Sequence, residues 1–185
     1  MGKSANLPGF QSPAVGFEQP FEMLQACHER VQRSLDLLRR LIVHIDARGH
    51  DAATRSAAAD VVRYFDLAAP LHHEDEELHV FPVLENSADA RLREAIAALR
   101  DDHGRMAERW ARARGVLMAW RDDPAPRTLD EPTRALLKAF GDAYDAHIAL
   151  EEDLVYPAAQ ARFDAAGLVR IGAEMQARRR APRAR

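Results

Sequence analysis

The stretch HHEDEELHVFP, residues 72–82, is repeated 75 positions later as HIALEEDLVYP, residues 147–157. A histidine, two glutamates, a valine, an aromatic residue and a proline recur at the same places in both copies. His28 and His103 are separated by the same 75 positions. A repeat at this offset predicts two copies of one supersecondary unit. Imidazoles and carboxylates repeated in register indicate a metal site with nitrogen and oxygen ligands.

The segments around this repeat carry hydrophobic residues at three- and four-residue steps, which predicts helices. We expect four long helices, from about Glu18 to Gly49, Asp51 to Leu84, the turn at 86–89 to Arg121, and Asp130 to Phe163. Pro70 lies inside the second helix and predicts a kink or a break there. Long amphipathic helices joined by short loops predict an all-α protein, an up-down-up-down four-helix bundle with a short additional C-terminal helix from Leu168 to about Ala177.

Three regions follow from this reading. Residues 1–17 contain several prolines and glycines and are expected to form an extended leader. Residues 18–165 are expected to form the bundle, and residues 166–185 a short C-terminal helix and a basic tail. We expect the tail from Arg178 to Arg185 to be a disordered, solubilising end, with weak contact to nucleic acid or acidic lipid as the alternative.

Composition narrows the class of protein. Of the 185 residues, 47% are hydrophobic and 30% charged, and the net charge of −3 argues against a nucleic-acid-binding body. No apolar run reaches the roughly 18 residues of a membrane span, and the N-terminus lacks the apolar core of a signal peptide. Cys27 is the single cysteine, so no disulfide framework is possible. We therefore expect a cytoplasmic monomer or homodimer with no membrane partner.

The histidines should meet inside the bundle. His28 lies roughly 15 Å into the first helix, and His72 lies roughly 18 Å before the end of the second, so the two have similar heights in antiparallel neighbours. The same estimate places His103 level with His147. Four histidines, one per helix, are thus expected on one cross-section.

The glutamates add oxygen ligands to this layer. Glu76 lies one turn after His72, and Glu151 one turn after His147, so each pair shares a helix face. His73 is close enough in rotation to join its neighbours, whereas the equivalent position in the second copy is Ile148. A rival register would pair His73 with Glu77, but it breaks the match between the two copies. Glu77 is expected to be an outer or surface group.

Ligand number points to two ions. Two roughly octahedral ions share about twelve positions, and four histidines with two bridging carboxylates fill about eight of them, or about nine with His73. The remaining positions are left for solvent, an oxygen bridge and a small exogenous ligand. A tetrahedral structural zinc would not need so many ligands.

These motifs resemble the hemerythrin-like (HHE cation-binding) family over about residues 18–165. The matching elements are His28, the stretches 72–82 and 147–157, and Asp102-His103. The resemblance implies a non-haem di-iron centre that binds or reacts with oxygen species. By ligand type alone, other divalent metals such as manganese or zinc remain alternatives. Oxygen-carrying members have a second histidine one turn after the third-helix histidine, where this chain has Ala107. His73 could compensate, since some members use the residue after the second-helix histidine as a ligand.

The leading hypothesis is a metal-binding protein of hemerythrin type. It would bind or sense oxygen, nitric oxide or peroxide, or handle iron, and a small exogenous ligand and an electron donor would be its partners. A second hypothesis is a di-iron oxidoreductase that reduces peroxide or oxygen. A third is a metal-free helical interaction module.

Overall fold

The computed structural model describes residues 15–123 and 128–180. Three long helices come first: α1 (Pro20–Arg48), α2 (Ala52–Asp75) and α3 (Ala90–Asp122). A π-helical segment, Glu76–Val80, continues α2. The fourth column of the fold contains α4 (Glu131–Gly141), α5 (Ala143–Leu150), a second π-helical segment (Glu151–Val155) and α6 (Tyr156–Gln160). The last helix is α7 (Ala165–Arg180). Residues 1–14 of the expected leader and 181–185 of the expected tail lie outside the described residues.

The four columns close into a bundle. Helix α1 packs against α2, α2 against α3, α3 against α4 and α5, and α4 against α1. Between residues 15 and 123 and from 128 to 180 no strand occurs, so the predicted all-α bundle is confirmed. None of the helices in these two ranges combines the length and the apolar character that crossing a membrane requires.

Short polar residues set the helix starts. The Asp51 carboxylate accepts a hydrogen bond from the Thr54 backbone N–H at 2.9 Å, and the Thr54 hydroxyl accepts one from the Asp51 N–H at 3.3 Å. This reciprocal pair satisfies N–H groups that have no partner within the first turn of α2. Asp89 and Asp130 cap α3 and α4 through their carboxylates. At the end of α1, Gly49 adopts a φ of 78°, a conformation that glycine tolerates best.

Pro70 does not break α2. Of the two outcomes predicted from the sequence, a kink or a break, the break is wrong. The helix continues unbroken through Pro70 to Asp75. Pro70 is exposed, so water can take over the hydrogen bond that its missing N–H would have made. The departure from α-helical geometry lies further on, at Glu76.

The fourth helix is less regular than the single span predicted from Asp130 to Phe163. It is interrupted at Asp142 and changes to π-helical geometry at Glu151. The two π-helical segments begin at Glu76 and Glu151, which are equivalent positions of the repeat, and each ends two residues before a proline. Proline crowds the preceding turn and cannot donate to it. A wider turn relieves that crowding, and such turns are frequent at functional sites.

Two apolar clusters fill the bundle, one on either side of a polar layer. The first contains Val31–Ile45 of α1 and Met106–Trp120 of α3. The second contains Phe21–Cys27 of α1 and Leu92–Leu99 of α3. In α1 the buried residue between the clusters is His28, and in α3 the gap contains His103. The two cores therefore enclose the histidine layer between them.

Helix α7 covers one side of the bundle and is longer than the sequence predicts. Arg178–Arg180 form its last turn, so the expectation of a disordered end is wrong for these three residues. Met175 is fully buried in the second cluster. Arg178 and Arg179 pair with the buried carboxylate of Asp75, and these ion pairs order a segment whose composition alone suggests a solvated tail.

Two glycine substitutions should have opposite effects on stability. A Cβ added at Gly172 in α7 would lie 1.8 Å from the backbone oxygen of Phe17, so Gly172→Ala should lower the free energy of unfolding by about 1–3 kcal/mol. Gly115 lies exposed within α3, and a Cβ there meets nothing within 4 Å. Gly115→Ala should raise the free energy of unfolding by about 0.5–1 kcal/mol. Urea unfolding of both variants tests this, and equal shifts would contradict the packing of α7 on Phe17.

Candidate metal centre

All seven residues predicted as ligands come together in the polar layer. They form two groups, and within each group the potential ligand atoms all lie within 4.8 Å of one another. One group contains His28, His72, Glu76 and Glu151, and the other contains His73, His103 and His147. We call these seven residues the His/Glu cluster. Six of the seven are buried, and His73 is half-buried.

The two glutamates join the two groups. Glu76 directs Oε1 towards His72 Nε2 at 3.2 Å and Oε2 towards His103 Nε2 at 3.4 Å. Glu151 directs Oε2 towards His28 Nε2 at 3.1 Å and Oε1 towards His147 Nε2 at 3.1 Å. Each carboxylate thus offers one oxygen to each half of the cluster. This is the arrangement of a bridging ligand between two cations.

Outer carboxylates orient the imidazoles. His28 Nδ1 lies 2.8 Å from Glu152 Oε1, and His103 Nδ1 lies 2.8 Å from Glu77 Oε1. The two pairs are equivalent in the internal repeat. A carboxylate on Nδ1 favours the tautomer that leaves Nε2 free to bind a metal, and it raises the basicity of the ring.

Tyr156 is a residue that sequence reasoning missed. Its hydroxyl donates a hydrogen bond to Glu76 Oε1 and lies 3.2 Å from His28 Nε2. Its ring stacks on His28 with centroids 5.5 Å apart. The equivalent residue, Phe81, stacks on His103 in the same way. The signal in the sequence was therefore the change from phenylalanine to tyrosine between the two copies.

Buried atoms without hydrogen-bond partners test whether this donor set fits cations. Among the described residues, Nε2 of His72, His103 and His147 lack a partner, as do Oε2 of Glu76 and both carboxylate oxygens of Glu151. His103 Nε2 lies 3.4 Å from Glu76 Oε2, and His147 Nε2 lies 3.1 Å from Glu151 Oε1, but neither contact has hydrogen-bond geometry. Since buried polar atoms are normally paired, their convergence fits metal ions with imidazole and carboxylate ligands.

The pKa shifts reflect this crowded, dry environment. Burial lowers the pKa of His72 to about 3. Burial and the charge of Glu76 raise the pKa of Glu151 well above its usual range. Burial opposes protonation of His28, but Glu151, Glu76 and Glu152 raise its pKa overall. In the absence of a cation, two ionised carboxylates are therefore unfavourable at this position.

The cluster is asymmetric in its nitrogen ligands. His73 stacks on His103, with ring centroids 4.0 Å apart, and lies 6.1 Å from His147. The equivalent of His73 is Ile148, which belongs to the first apolar cluster. One half of the centre therefore has three imidazoles and the other has two. Tyr156 borders the half with two.

Glu77, His44 and His50 lie outside the His/Glu cluster, and Asp102 contacts it from outside. Glu76 is fully buried, whereas the Glu77 side chain is 40% exposed and contacts His103 from outside, so the rival register does not form the cluster. His44 pairs with Asp51, and His50 contacts the Trp120 carbonyl, away from the cluster. Sequence reasoning gave Asp102 no role as an orienting group, although its carboxylate lies 3.5 Å from His147 Nδ1.

Removing the Tyr156 hydroxyl should weaken metal binding. Tyr156→Phe keeps the stacked ring but deletes the donor to Glu76, and the loss of an outer hydrogen bond of this kind costs about 10- to 100-fold in metal affinity. Competition with a chelator measures the affinity. Tyr144→Phe is the control, because Tyr144 is buried among Phe65 and Phe140 in the first apolar cluster. Equal affinities in both variants and the wild type would contradict this role for Tyr156.

Known proteins resemble this chain in sequence. A sequence model of the hemerythrin HHE cation-binding domain matches residues 19–159. The chain is also 32% identical over 163 residues to a protein of Haemophilus influenzae described as uncharacterized. That match covers 88% of this chain and 91% of the relative.

Proposed function

Because this chain belongs to the hemerythrin HHE cation-binding family, we propose that its His/Glu cluster holds two iron ions. The observation that carries the proposal is the orientation of Glu76 and Glu151, each with one oxygen towards each half. Five imidazoles and two bridging carboxylates fill about nine of the roughly twelve positions of two octahedral ions. Manganese and zinc accept similar ligands, and family membership favours iron.

The protein would use this centre to bind or sense oxygen, nitric oxide or peroxide, or to handle iron. Bound iron would supply exchangeable electrons and open coordination positions for a small ligand. The protein's own residues orient the imidazoles through Glu77 and Glu152. The two apolar clusters exclude water from the layer on both sides.

Anaerobic reconstitution with ferrous iron tests the proposal. We expect about two ions per chain and, after oxygen is admitted, a change in the visible absorption spectrum. A change that reverses on removal of oxygen supports carriage or sensing, whereas irreversible oxidation supports redox chemistry or storage. Less than one ion per chain would overturn the proposal. That result would favour the third hypothesis, a metal-free interaction module. This hypothesis also predicts that chelation leaves the melting temperature unchanged.

One observation favours a di-iron oxidoreductase as a second candidate. The Tyr156 hydroxyl is a buried proton-bearing group hydrogen-bonded to Glu76. Reduction of hydrogen peroxide to two waters consumes two electrons and two protons, and an external electron donor would have to supply the electrons. Tyr156 holds a proton at the phenol oxygen, within reach of the layer. If the iron-loaded protein with excess reductant does not consume peroxide, this candidate is excluded.

Acid should release the metal. An imidazole must be neutral to bind a cation, and contacts with carboxylates raise the pKa of His28 above its ordinary value although burial opposes this. A raised pKa means that this imidazole takes up a proton early as the pH falls, whereas His72, with a pKa of about 3, stays neutral. Occupancy should therefore fall between neutral pH and about 5, as measured by metal analysis after desalting. Full occupancy at the lower pH would contradict the role of His28 as a ligand.

A further inference from the structure

Helix α7 reaches the metal centre through a buried carboxylate. Asp75 precedes Glu76 in the chain and has an exposed fraction of 0%. Arg178 Nη2 donates a hydrogen bond to its Oδ1 at 2.5 Å, and Arg179 Nη2 donates one to its Oδ2 at 2.5 Å. A buried carboxylate that loses its partners is strongly unfavourable. The position of Asp75 therefore depends on the docking of α7.

A second contact holds the other end of the same turn. His79 Nε2 lies 2.5 Å from Glu174 Oε2, and Glu174 Oε1 accepts a hydrogen bond from Arg178 Nε at 2.7 Å. Asp75 and His79 are four positions apart, and Glu76 lies between them. Helix α7 thus contacts the turn that carries Glu76 at both of its ends.

The internal repeat shows that these contacts are specific to one copy. The equivalents of Asp75 and His79 in the second copy are Leu150 and Leu154. Both leucines are half-buried and pack against the second apolar cluster. Polar side chains thus replace apolar ones at the two positions that contact α7. The substitution pattern and the ion pairs are separate observations that point to the same contact.

Helix α7 is also attached to the beginning of the bundle. Gly172 packs against the backbone of Phe17 so closely that a Cβ would overlap it. The Arg179 guanidinium lies over the Phe17 ring, 5.0 Å from its centroid. Arg179 therefore joins the start of the bundle to Asp75.

We propose that α7 is a clamp on the metal centre, with Arg178 and Arg179 as positioning residues. Through Asp75 they hold the turn that carries Glu76, and so they set how tightly one bridging ligand is placed. This inference rests on the proposed function, since it takes Glu76 as a metal ligand. Release of α7 would loosen Glu76 while leaving Glu151 in place.

The test uses the full chain with cobalt(II) as the probe, because its visible spectrum reports the ligand geometry around the ion. The variant Arg178→Gln/Arg179→Gln keeps most of each side chain but removes both charges. We expect roughly tenfold weaker cobalt binding, an altered visible spectrum, and faster amide hydrogen exchange over residues 76–80. The control is Arg162→Gln/Arg170→Gln, which removes two exposed arginines and should leave all three measurements unchanged.

A cycle with Asp75→Leu decides whether the arginines act through Asp75. Leucine is the residue of the second copy and removes the buried charge. In that background, the arginine substitutions should cause no further loss of cobalt affinity, and a full additional loss would overturn the clamp. If the double arginine variant does not fold, Glu174→Gln replaces it, since the Glu174 side chain is 42% exposed. It should shift the spectrum in the same direction by less, and an unchanged spectrum would overturn the clamp.

The outcomes for the wild type separate the two proposals. If the wild-type chain binds neither cobalt nor iron, the proposed function fails and the clamp fails with it. If the wild type binds cobalt and the double arginine variant has the same affinity and spectrum, the clamp alone is wrong.

Discussion

Replacing Glu151 with glutamine is expected to lower the iron content of the protein from about two ions per chain to less than one. Both oxygens of Glu151 face the His/Glu cluster, at 3.1 Å from His28 and from His147. Glutamine preserves the size of the side chain but removes the negative charge that two cations would share. Metal analysis after reconstitution measures the loss, and His147→Ala should have an effect of the same kind.

The same substitution should not destabilise the metal-free fold. Both carboxylate oxygens of Glu151 lack a hydrogen-bond partner among the described residues, and burial without a partner is unfavourable. Metal-free Glu151→Gln should therefore unfold at the same temperature as the wild type or higher. Glu152→Gln is the matched control, because Glu152 contacts His28 only from the outer side and should weaken metal binding without abolishing it. Full occupancy in Glu151→Gln would contradict the bridging assignment.

Phe65→Ala should lower the free energy of unfolding by about 3–5 kcal/mol. Phe65 is 2% exposed. Its ring centroid lies 5.1 Å from that of Trp110 in α3, 4.9 Å from that of Phe140 in α4 and 5.8 Å from that of Tyr144 in α5. Truncation leaves a cavity between α2 and three other helices, and the surrounding rings can close it only in part. Urea unfolding in the presence of a chelator measures the change without a contribution from metal binding.

The effect of Phe65→Ala on the candidate metal centre should be small. Phe65 lies in the first apolar cluster, whereas the His/Glu cluster lies between the two apolar clusters. The folded variant should therefore retain its metal affinity. Val43→Ala is the control for stability, because Val43 is 66% exposed and surface substitutions usually change stability by less than about 0.5 kcal/mol. A comparable loss in both variants would contradict the assignment of Phe65 to the core.

Much of the fold could be predicted because helical periodicity is a local property. The spacing of apolar residues located the helices. Asp51, the turn at 86–89 and Asp130 marked three helix starts. The irregular parts could not be predicted in this way. A kink or a break was expected at Pro70, but α2 is not broken there, and the exposed position of Pro70 makes the missing hydrogen bond tolerable. The π-helical segments that begin at Glu76 and Glu151 interrupt the helical period, so the period could not predict them.

In the candidate site, contacts within one helix could be predicted from the sequence, and contacts between helices could not. His72 with Glu76, and His147 with Glu151, are one turn apart on a helix, so their proximity follows from helix geometry alone. Tyr156 and Glu76 are 80 positions apart, and Arg178 and Asp75 are 103 positions apart. Such contacts depend on how the helices are rotated and docked, which a periodic pattern does not specify.

The sequence by itself determined which side chains form the His/Glu cluster, their register and their common height in the bundle, because a fixed rise and rotation per residue relate positions within a helix. Tertiary structure decided which carboxylate oxygen faces which half, brought Tyr156 to Glu76, and placed the arginines of α7 on Asp75. Those arrangements result from side chains packing across separate helices. Their geometry is set by the mutual orientation of the helices, and the spacing of residues along the chain does not specify that orientation.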